Sequence, residues 1–209
     1  MLNEISLKLQ AGRAKIVKEL VQQAIDAGIP AQDILEKGLL AGMSVVGEKF
    51  KNEEIFVPEV LVAARAMNFG MAVLKPLLVA EGVENVGKVC LGTIEGDQHD
   101  IGKNLVKMML EGKGFEVIDL GINVAPEQFI KTAVEENCRI IGISALLTTT
   151  MNTMADVVKL ADEAGIRDKI KIMVGGAPVT EDFAKKIGAD AYTPDAATAA
   201  DAALAFCRQ

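Results

Sequence analysis

The stretch that decides the fold runs from Lys88 to Gly102 and reads KVCLGTIEGDQHDIG. Its first part, residues 88–93, is a short apolar run with β-branched residues, which predicts a buried strand. From Ile101 onward, apolar residues recur every three or four positions, which predicts a helix. The polar residues between these two segments therefore form a loop that leads directly from a strand into a helix.

The same alternation continues to the end of the chain. Further strands are predicted at residues 115–120, 139–144, 169–174 and 189–192, and helices at 101–111, 126–136, 152–164, 180–187 and 196–206. This order predicts an α/β domain with a five-stranded parallel sheet of the Rossmann-like, flavodoxin-like type. Ligands of such sheets bind beyond the carboxyl ends of the strands, so the loops there should carry the chemistry.

Before residue 81 the sequence has a different period. Apolar residues recur at three and four positions, as in Ile16, Leu20 and Ala24, and the pattern breaks at Gly12, at residues 28–30 and at residues 52–58. This pattern predicts a bundle of about four helices. The polar segment 81–87, EGVENVG, is the predicted linker, so we expect a helical cap domain over residues 1–84 and a sheet domain over residues 85–209.

Composition narrows the function classes. The formal net charge is −7 and there is no run of lysine or arginine, which argues against a nucleic-acid partner. The three cysteines are widely spaced and odd in number, as expected in a reducing compartment. The start of the chain lacks the features of a secretory signal, and no apolar run reaches the ~20 residues of a membrane span. We therefore expect a cytoplasmic protein with no membrane partner.

His99 is the single histidine of the chain and lies in the loop after the first predicted strand. Asp97, two residues earlier, is close enough to accept the proton of one ring nitrogen and leave the other nitrogen for a metal. One histidine cannot complete a protein-only transition-metal site, so the other ligands would have to come from a macrocycle. The loop thus points to a tetrapyrrole-like cofactor.

Three motifs resemble those of the cobalamin proteins that bind the cofactor with its own dimethylbenzimidazole detached from cobalt. Asp97 to Gly102, DQHDIG, matches their DxHxxG signature, Ser144 to Leu146 matches their SxL element, and Gly175-Gly176 matches their GG element. Each motif follows a predicted strand, and the separations fit the family. Residues 42–67 also resemble the small corrinoid proteins of methanogens and acetogens, in which a helical bundle caps the reactive face.

The resemblance implies a set of site residues. His99 would be the metal ligand, and Asp97, His99 and Thr150 would form the catalytic relay, with Thr150 in the position of a serine in related methionine synthases. The implied cofactor-binding residues are Asp97, Gln98, His99, Asp100, Ile101, Gly102, Ser144, Leu146, Thr148, Gly175, Gly176 and Tyr192. Gly175-Gly176 is equally compatible with a plain turn before Pro178.

The resemblance also implies a function. The chain would carry a methyl group on cobalamin or a related corrinoid, cycling between cob(I)alamin and methylcobalamin. Its partners would be a substrate-specific corrinoid methyltransferase, a second methyltransferase acting on tetrahydrofolate or a thiol, and a reductive activase. Turnover would need both methyltransferases, and the bundle would swing on the linker. A cobalamin-dependent regulator and an adenosylcobalamin mutase subunit are the alternatives. The methyl donor remains open among methanol, methylamines, betaines and aryl methyl ethers.

Overall fold

The computed structural model describes residues 1–83 and 85–208. The chain divides into two compact units, which we call the helical unit and the sheet unit. The helical unit comprises Met1–Asn85 with Gly112–Gly114, and the sheet unit comprises Val86–Glu111 with Phe115–Gln209. The predicted linker, residues 81–87, includes Glu84, which lies outside the described residues, so the predicted boundary between residues 84 and 85 stays a prediction.

The helical unit confirms the predicted bundle. Its elements are α1 (Leu2–Gln10), α2 (Ala14–Asp26), α3 (Ala31–Asp33), a π-helical segment (Ile34–Leu40), α4 (Ala41–Lys51) and α5 (Val57–Ala80). Because α3, the π-helical segment and α4 follow one another without interruption, the described residues of this unit form four helical rods. Its buried core includes Ile5, Leu9, Val17, Val21, Leu39, Met43, Val46, Val60, Met67 and Leu74.

Helix α5 corrects one expectation from the sequence. Its 24 residues have a mean hydropathy of 1.4, so by length and composition alone this helix is able to cross a membrane. The apolar run was underestimated because Arg65 and Lys75 interrupt it. Packing against α2 buries Val60, Ala63, Met67 and other residues of one face, as in the core helix of a bundle.

The sheet unit has the predicted α/β architecture. Its strands are β1 (Lys88–Ile94), β2 (Glu116–Val124), β3 (Ile140–Ser144), β4 (Lys171–Gly175) and β5 (Ala191–Tyr192). They are parallel and lie in the order β2-β1-β3-β4-β5. The helices are α6 (Ile101–Glu111), α7 (Pro126–Glu135), α8 (Met154–Glu163, after a 3₁₀ turn at Met151–Thr153), α9 (Glu181–Ile187) and α10 (Ala196–Cys207). This order is that of flavodoxin-like sheets.

Strand β2 differs most from its prediction. We predicted residues 115–120, whereas the strand runs from Glu116 to Val124. Its pairing with β1 shifts register twice, and Gly121 and Asn123 have positive φ angles of 85° and 53°. These left-handed residues hide the strand from sequence patterns, because glycine and asparagine are ordinarily read as turn residues. The extension brings Asn123 to the carboxyl edge of the sheet.

Candidate functional site

The site lies where the strand order reverses. Strand β1 pairs with β2 on one side and with β3 on the other, so the loops after β1 and β3 leave the carboxyl edge of the sheet side by side. This switch point is where open α/β sheets bind their ligands. The two loops contain Asp97 and His99 after β1, and Leu146 and Thr150 after β3.

The Asp97 side chain joins these two loops. It is fully buried, and five hydrogen bonds end on its carboxylate. Oδ1 accepts from the amide of His99 at 3.0 Å and lies 2.7 Å from Nδ1 of the same residue. Oδ2 accepts from the amides of Leu146 at 2.6 Å and Leu147 at 3.2 Å, and from the Thr150 hydroxyl at 3.3 Å. A carboxylate with this many donors is held in one position.

The same donors keep Asp97 ionised. Burial by itself raises the pKa of this carboxyl, but the hydrogen bonds from the His99, Leu146 and Leu147 amides and from the His99 ring outweigh it and hold the pKa far below its ordinary value. Asp97 is therefore a buried, permanently charged acceptor at neutral pH. It can orient the imidazole and stabilise a positive charge on it.

His99 presents one ring nitrogen to the carboxylate and has a side chain that is 53% exposed. An ionised carboxylate only accepts, so Nδ1 carries the proton and Nε2 of the neutral ring keeps its lone pair. Within residues 1–83 and 85–208, Nε2 has no hydrogen-bond partner, and no group of three or more potential metal-ligating side chains occurs. His99 thus suits a metal whose other ligands come from elsewhere.

The loop after β3 brings together some of the predicted residues. Thr150 is buried and its hydroxyl lies within hydrogen-bonding distance of both Asp97 Oδ2 and the Leu147 carbonyl, at 3.3 and 3.1 Å. Ser144 ends β3 and is half-buried between Thr93 and Gly175 in the ladder. Leu146 and Thr148 are exposed at this edge, so their side chains are open to a ligand.

The glycine pair leaves little space around itself. Gly176 has φ of +124°, and a Cβ added to it would lie 1.8 Å from the carbonyl oxygen of Ala145. A Cβ on Gly175 would lie 3.1 Å from the carbonyl oxygen of Thr193. Gly176 is therefore required by the packing of this chain's own backbone. Gly175 lies at the end of β4, next to Ser144 in the sheet.

The remaining predicted residues divide into two groups. Gln98, Asp100, Ile101 and Gly102 are exposed where the β1 loop enters α6, and Ile101 is 79% exposed although it is apolar. Tyr192 lies elsewhere, because it belongs to β5 and packs against the apolar core. Asp195, a further candidate for the cofactor tail, caps α10 through the Thr198 amide and hydroxyl.

Two positioning residues were missed by the sequence analysis. Thr93 is fully buried and its hydroxyl donates to the carbonyl of His99 at 2.8 Å. A polar residue ending an apolar strand was the available signal. Asn123 contacts the backbone at Gly96 and Asp97, and no sequence signal pointed to it because its strand was predicted to end at residue 120.

These residues fit a corrinoid. The chain offers one imidazole nitrogen, and a corrin macrocycle would supply the other metal ligands that the described residues lack. Exposed apolar side chains lie at the start of α6, at Ile101, and in the loop after β3, at Leu146 and Leu147. They would offer apolar surface to a flat ring.

Comparisons with known proteins agree with this fit. Two family models, each described as a B12 binding domain, match residues 1–75 and 87–205. Trimethylamine corrinoid protein 1 of Methanosarcina acetivorans is 48% identical over 180 residues, which is 85% of this chain and 83% of that protein. Dimethylamine corrinoid protein 3 of the same organism is 44% identical over 199 residues, which is 95% of this chain and 93% of that protein.

A solved structure shares the whole architecture. The crystal structure of the methanol:cobalamin methyltransferase complex MtaBC from Methanosarcina barkeri has a chain that superposes with a TM-score of 0.87 at 33% identity, over 98% of this chain and 78% of that one. The predicted fold class and the predicted corrinoid cofactor are therefore confirmed. With two B12 binding domains and relatives of this identity, the chain belongs to the family of corrinoid proteins.

Proposed function

We propose that this chain binds a corrinoid base-off, with His99 as the residue that would hold the cobalt, and carries a methyl group between two methyltransferases. The observation that carries the proposal is the pair formed by Asp97 and His99, in which Nδ1 is bound to a buried carboxylate and Nε2 is left free. His99 would hold the cobalt of the macrocycle, and the bound corrinoid would supply the methyl-transfer chemistry.

The protein residues have defined tasks in this proposal. Asp97 fixes the Nδ1–H tautomer, so that the lone pair of Nε2 is available to a metal. A metal and a proton would compete for the same lone pair of Nε2. The charge of Asp97 would stabilise the protonated ring, and the Thr150 hydroxyl stabilises Asp97 at Oδ2.

The relatives support a methyltransferase as a partner. A protein with this architecture belongs to a methanol:cobalamin methyltransferase complex, and others are named for trimethylamine and dimethylamine. We infer that a substrate-specific methyltransferase loads this carrier, that a second methyltransferase unloads it to tetrahydrofolate or a thiol, and that a reductive activase rescues oxidised cobalt. Because Cys90, Cys138 and Cys207 are all free thiols, a reducing cytoplasm is the proposed location.

The test of the ligand is anaerobic reconstitution with hydroxocobalamin, reduction to the cob(II)alamin state, and electron paramagnetic resonance. We expect superhyperfine splitting from one protein nitrogen in the wild type and in Gln98→Ala, a control at an exposed neighbouring position. His99→Ala should bind cobalamin without this splitting. The protein is labelled with 15N, so that a protein nitrogen splits the signal into doublets and the cofactor's own dimethylbenzimidazole nitrogen splits it into triplets. Doublets that survive in His99→Ala would exclude His99 as the ligand, and a chain that takes up no cobalamin would refute the proposal.

The test of the carrier role is methyl loading by a partner enzyme. Trimethylamine and dimethylamine methyltransferases are the first to try, because relatives above 40% identity are named trimethylamine and dimethylamine corrinoid proteins. Loading is followed in the visible spectrum of the bound corrinoid and needs the matching methyl donor. Failure with these and with methanol, betaine and aryl methyl ether systems would contradict the carrier role while leaving corrinoid binding intact.

A further inference from the structure

Asn123 ties the extended end of β2 to the loop that bears His99. Its side-chain Oδ1 accepts a hydrogen bond from the Gly96 amide at 2.7 Å. Its own amide donates to the Asp97 carbonyl at 2.9 Å. These two bonds hold both ends of the Gly96–Asp97 dipeptide. The second residue of this dipeptide carries the carboxylate that orients the imidazole of His99.

The backbone of β2 explains how Asn123 reaches this loop. The strand shifts register against β1 near its end, and Asn123 has a φ angle of 53°. Irregularities of this kind redirect side chains at the ends of strands, often next to functional sites. Asparagine tolerates the left-handed conformation better than other residues with a side chain, so position 123 combines a required backbone angle with a hydrogen-bond acceptor.

The loop is held from two sides. The carboxylate of Asp97 is fixed by the Leu146 and Leu147 amides of the β3 loop, whereas the backbone of Asp97 is fixed by Asn123 of β2. If only the carboxylate were held, the Gly96–Asp97 backbone could rotate around it, because Gly96 is a glycine with φ of +83°. Three bonds remove this freedom together: the Gly96 amide donates to Asn123 Oδ1, the Asn123 amide donates to the Asp97 carbonyl, and the Asp97 amide donates to the Ile94 carbonyl at 3.1 Å. The first of them is the one that depends on the Asn123 side chain.

We infer that Asn123 is a positioning residue for His99, acting on corrinoid binding through the Gly96–Asp97 backbone. The inference rests on the proposed function, in which His99 is the axial ligand. Its effect is indirect, since the Asn123 side chain orients the loop that carries the ligand. A net hydrogen bond of ordinary strength corresponds to about fivefold in an equilibrium constant, which sets the expected size of the effect.

The chain offers a matched control for the substitution. Asn137 has nearly the same backbone, with φ of 54°, and is exposed at the turn between α7 and β3. Asn123→Gly and Asn137→Gly therefore change the backbone preference in the same way, and only the former removes a bond to the His99 loop. Asn123→Asp keeps the acceptor oxygen and the tolerance of positive φ.

The first readout needs no cofactor. Hydrogen exchange of the Gly96 amide, followed by nuclear magnetic resonance, should be about fivefold faster in Asn123→Gly than in the wild type. Asn137→Gly should leave this rate unchanged, and Asn123→Asp should restore it. An unchanged Gly96 rate in Asn123→Gly would overturn the inference.

The second readout is a double-mutant cycle on cobalamin affinity. Asn123→Gly should raise the Kd for cobalamin about fivefold when His99 is present and leave it nearly unchanged in the His99→Ala background. An equal loss in both backgrounds, or the same loss in Asn137→Gly, would overturn the inference. The two proposals fail separately, because doublets that persist in His99→Ala refute the axial ligand, whereas the Gly96 exchange rate tests Asn123 alone.

Discussion

The Nδ1 atom of His99 lies 2.7 Å from Oδ1 of Asp97. The imidazole is 53% exposed, whereas the carboxylate is fully buried. One partner is therefore fixed inside the protein while the other is presented at the edge of the sheet. This arrangement separates the charge that tunes the ring from the ring nitrogen that meets a ligand.

Asp97→Asn should weaken cobalamin binding about 10- to 100-fold, the usual cost of losing the group that orients a metal-ligating histidine. The side-chain amide of the variant has one acceptor oxygen, whereas the wild-type carboxylate has two. The NH₂ group of the variant would face donors that bond to the carboxylate in the wild type. Affinity is measured by titration with hydroxocobalamin. Asp162→Asn is the control, because Asp162 is exposed on α8 and belongs to none of the predicted site residues. Equal losses in the two variants would contradict the orienting role of Asp97.

Thr150→Val should lower the free energy of unfolding by about 1 kcal/mol, because it removes a buried hydroxyl from Asp97 without changing the shape of the side chain. Thr150→Ser keeps the hydroxyl and should lose less. Thr148→Val is the matched control at an exposed position of the same loop. Urea unfolding measures all three, and a Thr150→Val protein as stable as wild type would show that this bond contributes nothing.

Gly176→Ala should lower the free energy of unfolding by roughly 2–5 kcal/mol, since it adds a backbone clash to the strain of a positive φ. We expect this loss to be the largest among glycine-to-alanine substitutions in the sheet unit. Gly165→Ala isolates the strain, because Gly165 has φ of +66° and open space around its added Cβ. It should cost about 1 kcal/mol. Thermal unfolding that ranks the two variants equally would contradict the clash with the Ala145 carbonyl.

The pair formed by buried Lys103 and partly exposed Asp119 should make stability depend on pH. Partial burial raises the pKa of Asp119, but the hydrogen bond from Lys103 at 2.6 Å, the Gly121 amide, the charge of Lys103 and the hydrogen bond from Lys107 outweigh it and lower the pKa. Because the folded-state pKa is the lower one, the stabilisation is present above the unfolded value of about 3.9 and is lost as pH falls through the folded one.

Asp119→Asn tests this pair. The free energy of unfolding of the variant should be roughly 2–3 kcal/mol lower than that of the wild type at neutral pH, because the 2%-exposed ammonium of Lys103 loses its counter-ion. The difference in free energy of unfolding between the variant and the wild type should narrow as pH falls below about 3.9. Lys103→Met combined with Asp119→Asn should recover most of the loss, since the buried charge is then gone. A difference that stays constant with pH would contradict the lowered pKa.

Local patterns predicted those parts of the fold that follow regular periods. Strand β1 and the loop to α6 were found because an apolar run meets a polar motif there. The π-helical segment was not found, although the five-residue step from Ile34 to Leu39 departs from the three- and four-residue spacing of an α-helix. The sequence located the helices of the bundle but not this wider turn.

The candidate site was predictable only where a motif exists. Asp97 lies two residues before His99, so their interaction could be predicted from the spacing. Asn123 reaches the same loop through a strand irregularity that depends on pairing between β1 and β2, which no local pattern encodes. Tyr192 lies in β5 and is partly buried against the apolar core, so its contact with the cofactor stays a prediction.

The Asp97 carboxylate takes three of its five donors from residues 146–150, some fifty positions later in the chain. During synthesis the histidine loop leaves the ribosome well before β3 and the turn after it exist. Until the ribosome has added that turn, the carboxylate has only the two donors from His99. The five hydrogen bonds to Asp97 can therefore be complete only after residues 146–150 have been synthesised and β3 has paired with β1.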